Sequence, residues 1–373
     1  MLIGIDASRA AIVRRTGTEA YAYHLIRALL PLAQQRGHRL RLYYNQPPQS
    51  PIAPQTAAQI DSVVIPFPRL WTHLRLAAEL HQRPPDLFFT PAHVIPISYF
   101  GKSVATVHDL GYHYFPEAHT AAQVRQLTWS TQHNARRSRV VLADSAATKQ
   151  DLINFYRVSA EKIATVYPSF DLNLAPVSDS QHLQQVQHKL NLQAPYFLFL
   201  STIQPRKNVA RIVLAFAEIA AYIPHQLVLA GKLGWLSEQI TATIVGLSAE
   251  IQARIKLTGF IEDADKAALL SGATALVYPS LFEGFGFPVL EAQACGTAVI
   301  SADNSSIPEV AGNSARLVSA ESIPQLAQAM RDVATDADYR QQLIKRGFTN
   351  IKRFSWHKAA TQTLDILEQV YHA

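Results

Sequence analysis

Along almost the whole chain, short apolar runs of strand length alternate with longer stretches whose apolar residues recur at helical spacing. Runs of that length, bounded by Gly, Pro, Asn or Asp, predict buried strands, and the periodic stretches predict helices. In the first half, strands are expected at 2–6, 39–44, 62–66, 86–90, 103–108, 140–144 and 162–167, with helices at about 18–35 and 70–81. The second half repeats the alternation, with strands at 196–201, 226–230, 255–258, 274–278, 297–301 and 315–318. This pattern predicts the α/β class, with parallel sheets whose ligands bind beyond the carboxyl ends of the strands. The polar segment 178–187 and the run ending at Pro195 interrupt it, so residues 168–195 are read as a linker and the start of a second domain. A chain of 373 residues has room for two such domains, 1–172 and 173–353, with 354–373 as a closing segment. Two α/β domains in tandem would place a cleft between them, a preferred ligand site.

The most informative stretch is 283–296, EGFGFPVLEAQACG, which joins a glycine-rich loop to a short helix between two strands. Pro288 fits the first helical position, and Gly296 supplies the stop. Gly284 and Gly286 let the backbone approach a ligand closely, and the amides near Phe287 lie at the positive end of the helix. The loop of Gly284, Phe285, Gly286 and Phe287 is therefore a candidate ligand seat. Glu283 falls in the loop and Glu291 in the first helical turn, where carboxylates would meet hydroxyls. The plainer alternative is that Glu291 complements the helix N-terminus and the glycines only make a turn.

Four further strand ends carry candidate chemistry. In 201–208, STIQPRKN, a strand runs into a turn at Pro205, with Asn208 placed to cap the next helix, so Arg206 and Lys207 project at the sheet edge. An adjacent guanidinium and ammonium would neutralise a diphosphate, and the alternative is a solvated loop pair. Lys232, at the end of LAGK, would reach the same phosphates. His108, at the end of VATVHD, would place an imidazole in the cleft or serve as a satisfied structural histidine. Gly17, in RRTGTE after the first strand, would bring backbone near a ligand.

Composition narrows the class. The single cysteine, Cys295, excludes an intrachain disulfide and a multi-cysteine zinc site, and points to a reducing compartment. Met1 leads directly into a strand with no leader-like segment, and no apolar run is long enough to span a membrane. The net charge of +6 is uneven: residues 1–171 hold 18 Lys and Arg against 11 Asp and Glu, and the remainder is nearly balanced. A basic half suits an anionic partner, and no nucleic-acid motif accompanies it.

Together these segments resemble the retaining glycosyltransferases of family 4, also called group 1, across essentially the whole chain. The matching segments are GIDAS at 4–8, TGTE at 16–19, the His108–Asp109 strand end, PRKN at 205–208, LAGK at 229–232, the paired glutamates 283 and 291, and RFSW at 353–356. The resemblance implies a GT-B fold, two Rossmann-like domains facing a central cleft. The first would bind acceptor and the second nucleotide sugar, with a last helix crossing back to the first. It implies that Arg206 and Lys207 hold the nucleotide diphosphate with Thr202 and Lys232 nearby, that Glu291 holds the ribose, and that Glu283 and the 284–287 amides hold the donor sugar. His108 would lie beside the sugar ring, and Gly17 would close the site. Ser201 stands where the family commonly has Gly.

The implied activity is transfer of a hexose, mannose being one candidate, from a nucleotide diphosphate sugar to a glycan or lipid-linked acceptor in cell-surface polysaccharide synthesis. It would proceed with retention, without a metal or other cofactor and without a covalent nucleophile. The implied setting is the cytoplasm, with peripheral association at an anionic membrane face and no nucleic acid as partner. A small soluble acceptor, or a non-catalytic nucleotide-sugar-binding partner, are the alternatives.

Overall fold

The computed structural model describes residues 1–13, 15, 17–49, 52, 59–67 and 69–373. Two compact units are present. The first comprises Met1–His113, Thr120–Ser169 and Phe354–Ala373, and the second Tyr114–His119 and Phe170–Arg353.

The first unit is built on seven parallel strands: β1 (Leu2–Asp6), β2 (Arg39–Tyr44), β3 (Ile60–Val64), β4 (Leu87–Thr90), β5 (Ser103–Val107), β6 (Val140–Ala143) and β7 (Ile163–Thr165). Their spatial order is β3-β2-β1-β4-β5-β6-β7. The central strands are apolar throughout because helices cover both faces, and Ile3, Ile5, Leu42, Phe88, Phe89, Val104 and Leu142 are fully buried. β3 begins two residues earlier than the apolar pattern suggests. Its register runs from Leu40↔Ile60 to Tyr44↔Val64, and Pro66, lacking an N–H, cannot extend the ladder. The expected helix at 70–81 is a π-helical turn, Thr72–Leu76, leading into the α-helix Ala77–Gln82.

The second unit has six parallel strands: β8 (Tyr196–Leu200), β9 (Gln226–Ala230), β10 (Ile255–Gly259), β11 (Ala275–Tyr278), β12 (Ala298–Ala302) and β13 (Arg316–Val318), ordered β10-β9-β8-β11-β12-β13. The polar stretch read as linker contains a helix, Ser180–Lys189. Asp179 caps it by accepting from the Gln181 N–H, and only Val186 of it is buried. A surface helix with one apolar contact gives almost no periodic signal, which is why its composition resembles a loop.

In each sheet the strand order reverses once, between β1 and β4 and between β8 and β11. In open parallel sheets these reversals open crevices at the carboxyl ends of the strands, so the two positions are where ligands are expected.

The last helix, Trp356–His372, packs along the first, Gly17–Gln35, within the first unit. Trp356 is buried, edge-on to Tyr21 at 5.9 Å and stacked on His24 at 5.3 Å. At the other end Arg36 meets Asp365 at 2.6 Å and Glu368 at 2.8 Å. These outer pairs are largely solvated and contribute little; the aromatic anchor contributes most. Trp356→Ala should therefore cost about 3–5 kcal/mol of first-unit stability, read as a lower urea midpoint. An unchanged midpoint would mean that the terminal helix does not stabilise this unit.

Candidate functional site

The strand reversal of the second sheet brings together the loops that follow β8 and β11. Backbone and side-chain bonds stitch them: Leu281 N–H and Ser280 Oγ donate to the Arg206 carbonyl at 2.9 and 3.1 Å, and Arg206 donates back to the Phe282 carbonyl. Asn208 occupies the cap position of the helix Val209–Ile219 with φ 63°, but its side chain does not cap. Its amide Nδ2 donates to the carbonyls of Pro279 at 2.9 Å and Ala320 at 2.7 Å. The left-handed backbone at Asn208 turns the side chain away from the helix N-terminus and across to β11, so the expected capping bond is replaced by a tie between loops.

At the centre of this stitching lies a buried ion pair. Lys207 Nζ donates to Glu283 Oε1 at 2.6 Å and to the Tyr278 hydroxyl at 2.6 Å, and that hydroxyl donates to the same Oε1 at 2.8 Å. Arg206 approaches the other carboxylate oxygen at 3.6 Å. Burial alone would raise the Glu283 pKa, but Lys207 and Arg206 outweigh it and hold the carboxyl down to about 2. The glutamate therefore stays ionised. Burial and the adjacent Glu283 push the Tyr278 phenol far above its ordinary value, so it stays a neutral donor. The Ser201 hydroxyl interacts with this phenol, which gives the serine a use within the protein.

The loop after Glu283 is held from β12's side of the sheet. Glu283 N–H donates to Ser305 Oγ at 3.0 Å, and Ser306 Oγ lies 2.9 Å from the carbonyls of both Glu283 and Phe285. Gly286 has φ 103°, and a Cβ there would stand 2.6 Å from Ile307 Cδ1, so only glycine makes the turn into the helix Phe287–Ala294. Phe285 is buried, edge-on to Phe287 at 5.2 Å. Because the helix starts at Phe287, Pro288 is its second residue and Glu291 falls in the second turn. That corrects the first-turn placement and weakens the capping alternative, since the helix dipole acts only within the first turn. Glu291 instead pairs with Lys266 at 2.6 Å, and this partner, with Asp171 and Asp263, raises the lysine pKa against its burial. Burial pushes the nearby Cys295 thiol up to about 12, so the single cysteine is unreactive.

Among the other expected residues of this unit, Thr202 lies beside the β8–β9 crossing, where Gly231 is required. Its φ is 137°, and a Cβ would meet the Ser201 carbonyl at 1.9 Å. Lys232 is exposed and forms no ion pair among the described residues.

In the first unit, His108 follows β5 and is not alone. Its Nδ1 bonds Asp144 Oδ2, after β6, at 2.6 Å, and the Tyr21 ring meets it edge-on at 4.8 Å. Burial disfavours the imidazolium, but Asp144 prevails and the His108 pKa is raised. The Pro91 carbonyl adds to this without closing a hydrogen bond to Nε2, which has no partner. At the reversal between β1 and β4, Asp6 is buried. One oxygen accepts from the amide and hydroxyl of Ser8, and the other, without a hydrogen-bond partner, lies 3.7 Å from His93 Nδ1. Gly17 begins the first helix; Arg14 and Thr16 of its segment lie outside the described residues.

Sequence reasoning missed Tyr278, Lys266, Asp144, His93, Ser305 and Ser306 as partners. Only Tyr278, a hydroxyl ending an apolar strand five residues before Glu283, left a readable signal. Among the described residues no three or more His, Cys, Asp or Glu side chains gather as a metal site would need.

Comparison with known proteins bears on the same segments. Residues 180–350 match the model of glycosyl transferases group 1, and residues 15–174 that of glycosyltransferase family 4. The chain is 27% identical over 266 residues to an O-antigen chain mannosyltransferase B of Escherichia coli, covering 71% of this chain and 69% of that one. It is 28% identical over 235 residues to a serotype-specific mannosyltransferase of the same organism, covering 61% of this chain and 28% of that longer protein. A sucrose-phosphate synthase from Thermosynechococcus elongatus superposes with a TM-score of 0.78 at 20% identity, covering 100% of this chain and 99% of that one. That likeness identifies the fold as GT-B.

The depressed Glu283 pKa gives the site a pH signature. A carboxyl whose folded value lies below its ordinary 4.5 stabilises above that pH and loses the contribution as pH falls towards 2. From pH 5 downward the parent protein should lose on the order of 3 kcal/mol more second-unit stability than Glu283→Gln, read from urea midpoints at each pH. Equal acid sensitivity of the two would show that the pair carries no net stabilisation.

Proposed function

The chain belongs to the glycosyltransferases of family 4, the group 1 family, and from that premise we propose that it transfers a hexose, mannose first among them, from a nucleoside diphosphate sugar. The acceptor is a glycan or a lipid-linked glycan in cell-surface polysaccharide synthesis, met at the cytoplasmic face of a membrane. The sugar assignment rests on the two mannosyltransferase relatives. The observation that carries the chemical reading is the buried Lys207–Glu283–Tyr278 cluster, with Arg206 beside it, at the strand reversal of the second sheet.

Breaking the bond between sugar and diphosphate builds negative charge on the leaving phosphate and positive charge on the sugar ring. Arg206 and Lys207 stabilise the first, so they favour the transition state over the ground state. Both are held by their loops before any ligand arrives, so little reorganisation is needed at the moment of reaction. Glu283, kept ionised, accepts from sugar hydroxyls, and Glu291 accepts from the ribose with Lys266 fixing its carboxylate. In the first unit, the His108 ring is oriented through Nδ1 by Asp144. The reaction proceeds with retention and without a metal: the leaving phosphate takes the acceptor proton on the face where the acceptor attacks.

In a panel of nucleoside diphosphate sugars, a mannose donor should raise the melting temperature most. At about 100 times its Kd the stabilisation is about 2.7 kcal/mol. Transfer should survive EDTA and give an α-linked product by NMR. In Arg206→Gln, turnover should fall by roughly 10²–10³ with near-UV circular dichroism unchanged. Inversion at the anomeric carbon, or full turnover in that variant, would overturn the reading; Lys207 is a poorer target because its removal strands a buried carboxylate.

A further inference from the structure

The second unit includes one segment from the first half of the chain, Tyr114–His119. Its contacts fall on the loops of the candidate site. Tyr114 stacks on Phe282, the residue before Glu283, with ring centroids 4.9 Å apart and the planes 26° from parallel. Further along the segment, the Trp235 indole N–H donates to the Ala118 carbonyl, and the His119 ring lies 6.2 Å from the same indole. Phe282 is buried although it sits in a loop, whereas Tyr114 and Trp235 are exposed.

These contacts lie on either side of the loop that carries Arg206 and Lys207, because β8 stands between β9 and β11 in the sheet. Trp235 belongs to the loop after β9. That loop is tied to the β8 loop by the Ile203 N–H, which donates to the Lys232 carbonyl at 3.0 Å, and by the Gly234 N–H, which donates to the Ile203 carbonyl at 2.8 Å. Phe282 belongs to the loop after β11, and its carbonyl accepts from the Arg206 guanidinium and, at 3.2 Å, from the Ser280 hydroxyl. The segment thus reaches from one neighbour of the β8 loop to the other. It is stiff for its length: Pro116 fixes φ at the start of the 3-10 turn Pro116–Ala118, and the His119 N–H closes that turn on the Pro116 carbonyl at 3.1 Å.

We propose that Tyr114 and the segment it leads are positioning elements of the proposed donor site. Tyr114 fixes the Phe282 peptide whose carbonyl holds Arg206, and the Ala118 carbonyl fixes the Trp235 loop beside Lys232. A guanidinium stabilises a developing charge to the extent that its position is set in advance. Arg206 is anchored on a loop peptide, and loss of the Tyr114 ring would free one side of that peptide. The inference rests on the proposed use of Arg206 at the leaving phosphate for its effect on turnover, but not for the bracing itself.

The test compares Tyr114→Ala and Tyr114→Phe in the full chain. Tyr114→Ala should lower kcat for sugar transfer roughly two- to tenfold, the loss of one aromatic pair at about tenfold for each 1.4 kcal/mol, with a smaller change in KM. Tyr114→Phe, which keeps the ring, should restore kcat. Because Tyr114 acts through Arg206, adding Tyr114→Ala to Arg206→Gln should cost nothing further, whereas losses at independent sites multiply. Hydrogen exchange read by mass spectrometry should be faster at 280–284 in Tyr114→Ala and unchanged in β8 and β11. Unchanged kcat in Tyr114→Ala, no rescue by Tyr114→Phe, a multiplied loss in the double variant, or unaltered exchange at 280–284 would overturn the proposal. Faster exchange at 280–284 in Tyr114→Ala, with no nucleotide sugar transferred by the parent, would leave the brace standing and remove the proposed activity.

Discussion

The second unit is organised around one buried ion pair. Lys207 and Glu283 are each only 7% exposed, and neither is tolerable alone in that environment: an unpartnered charge there would cost about 3–5 kcal/mol. Their pairing is therefore a geometric requirement on everything that carries them. It fixes the loop after β8 against the loop after β11, and the bonds of Asn208, Ser280, Ser305 and Ser306 hold that alignment from both sides. Tyr278 completes the arrangement by donating to the carboxylate from β11 itself, so that strand, loop and neighbouring loop share one polar centre. A hydrophobic substitute of equal volume would serve stability as well or better. What the pair does supply is a fixed placement of both charges at the strand reversal.

All thirteen strands were legible, because parallel strands buried on both faces are apolar without interruption and their lengths are bounded by turn residues. Boundaries drifted where a ladder decided them, as at β3, and a surface helix with a single buried residue, Val186, read as linker. The polar cluster at the second strand reversal was legible in part. Arg206, Lys207, Glu283 and Glu291 could be named because each sits in a local motif with Gly or Pro beside it. Their partners could not. Lys207 and Glu283 are 76 residues apart, and Glu291 meets Lys266 from the preceding strand–helix unit. His108 is paired with a residue 36 positions on. In a parallel sheet, adjacent strand ends belong to segments separated by a whole crossover, so the residues that complete a site are local in space and distant in sequence. Only pairing register brings them together, and register is not written in any short window.

This also changes how the paired glutamates are understood. Read alone, they divide a ligand between them, with the basic residues claiming the phosphates. In the fold each carboxylate already has a cation, Lys207 for Glu283 and Lys266 for Glu291. A ligand hydroxyl arriving at either one meets a carboxylate whose position is set and whose charge is partly balanced. That favours hydrogen-bonding recognition of neutral hydroxyls over capture of a cation.

Charge is used in two opposite ways within the one chain. Around the strand reversal of the second sheet, each key cation faces a carboxylate across a buried gap, and its field acts at short range in a medium that screens poorly. In the first unit, Arg69, Arg75 and Arg125 form no ion pair among the described residues, and Arg36 and Arg39 form only solvated ones, where the individual energies are small. The surplus of basic residues in the first half is thus not a diffuse property of composition. Part of it is used inside the unit: the Arg137 guanidinium donates to the Tyr99 carbonyl and covers the exposed Phe100 ring. Paired buried charge fixes the loops of the second unit, and unpaired charge on the first is left to the solvent.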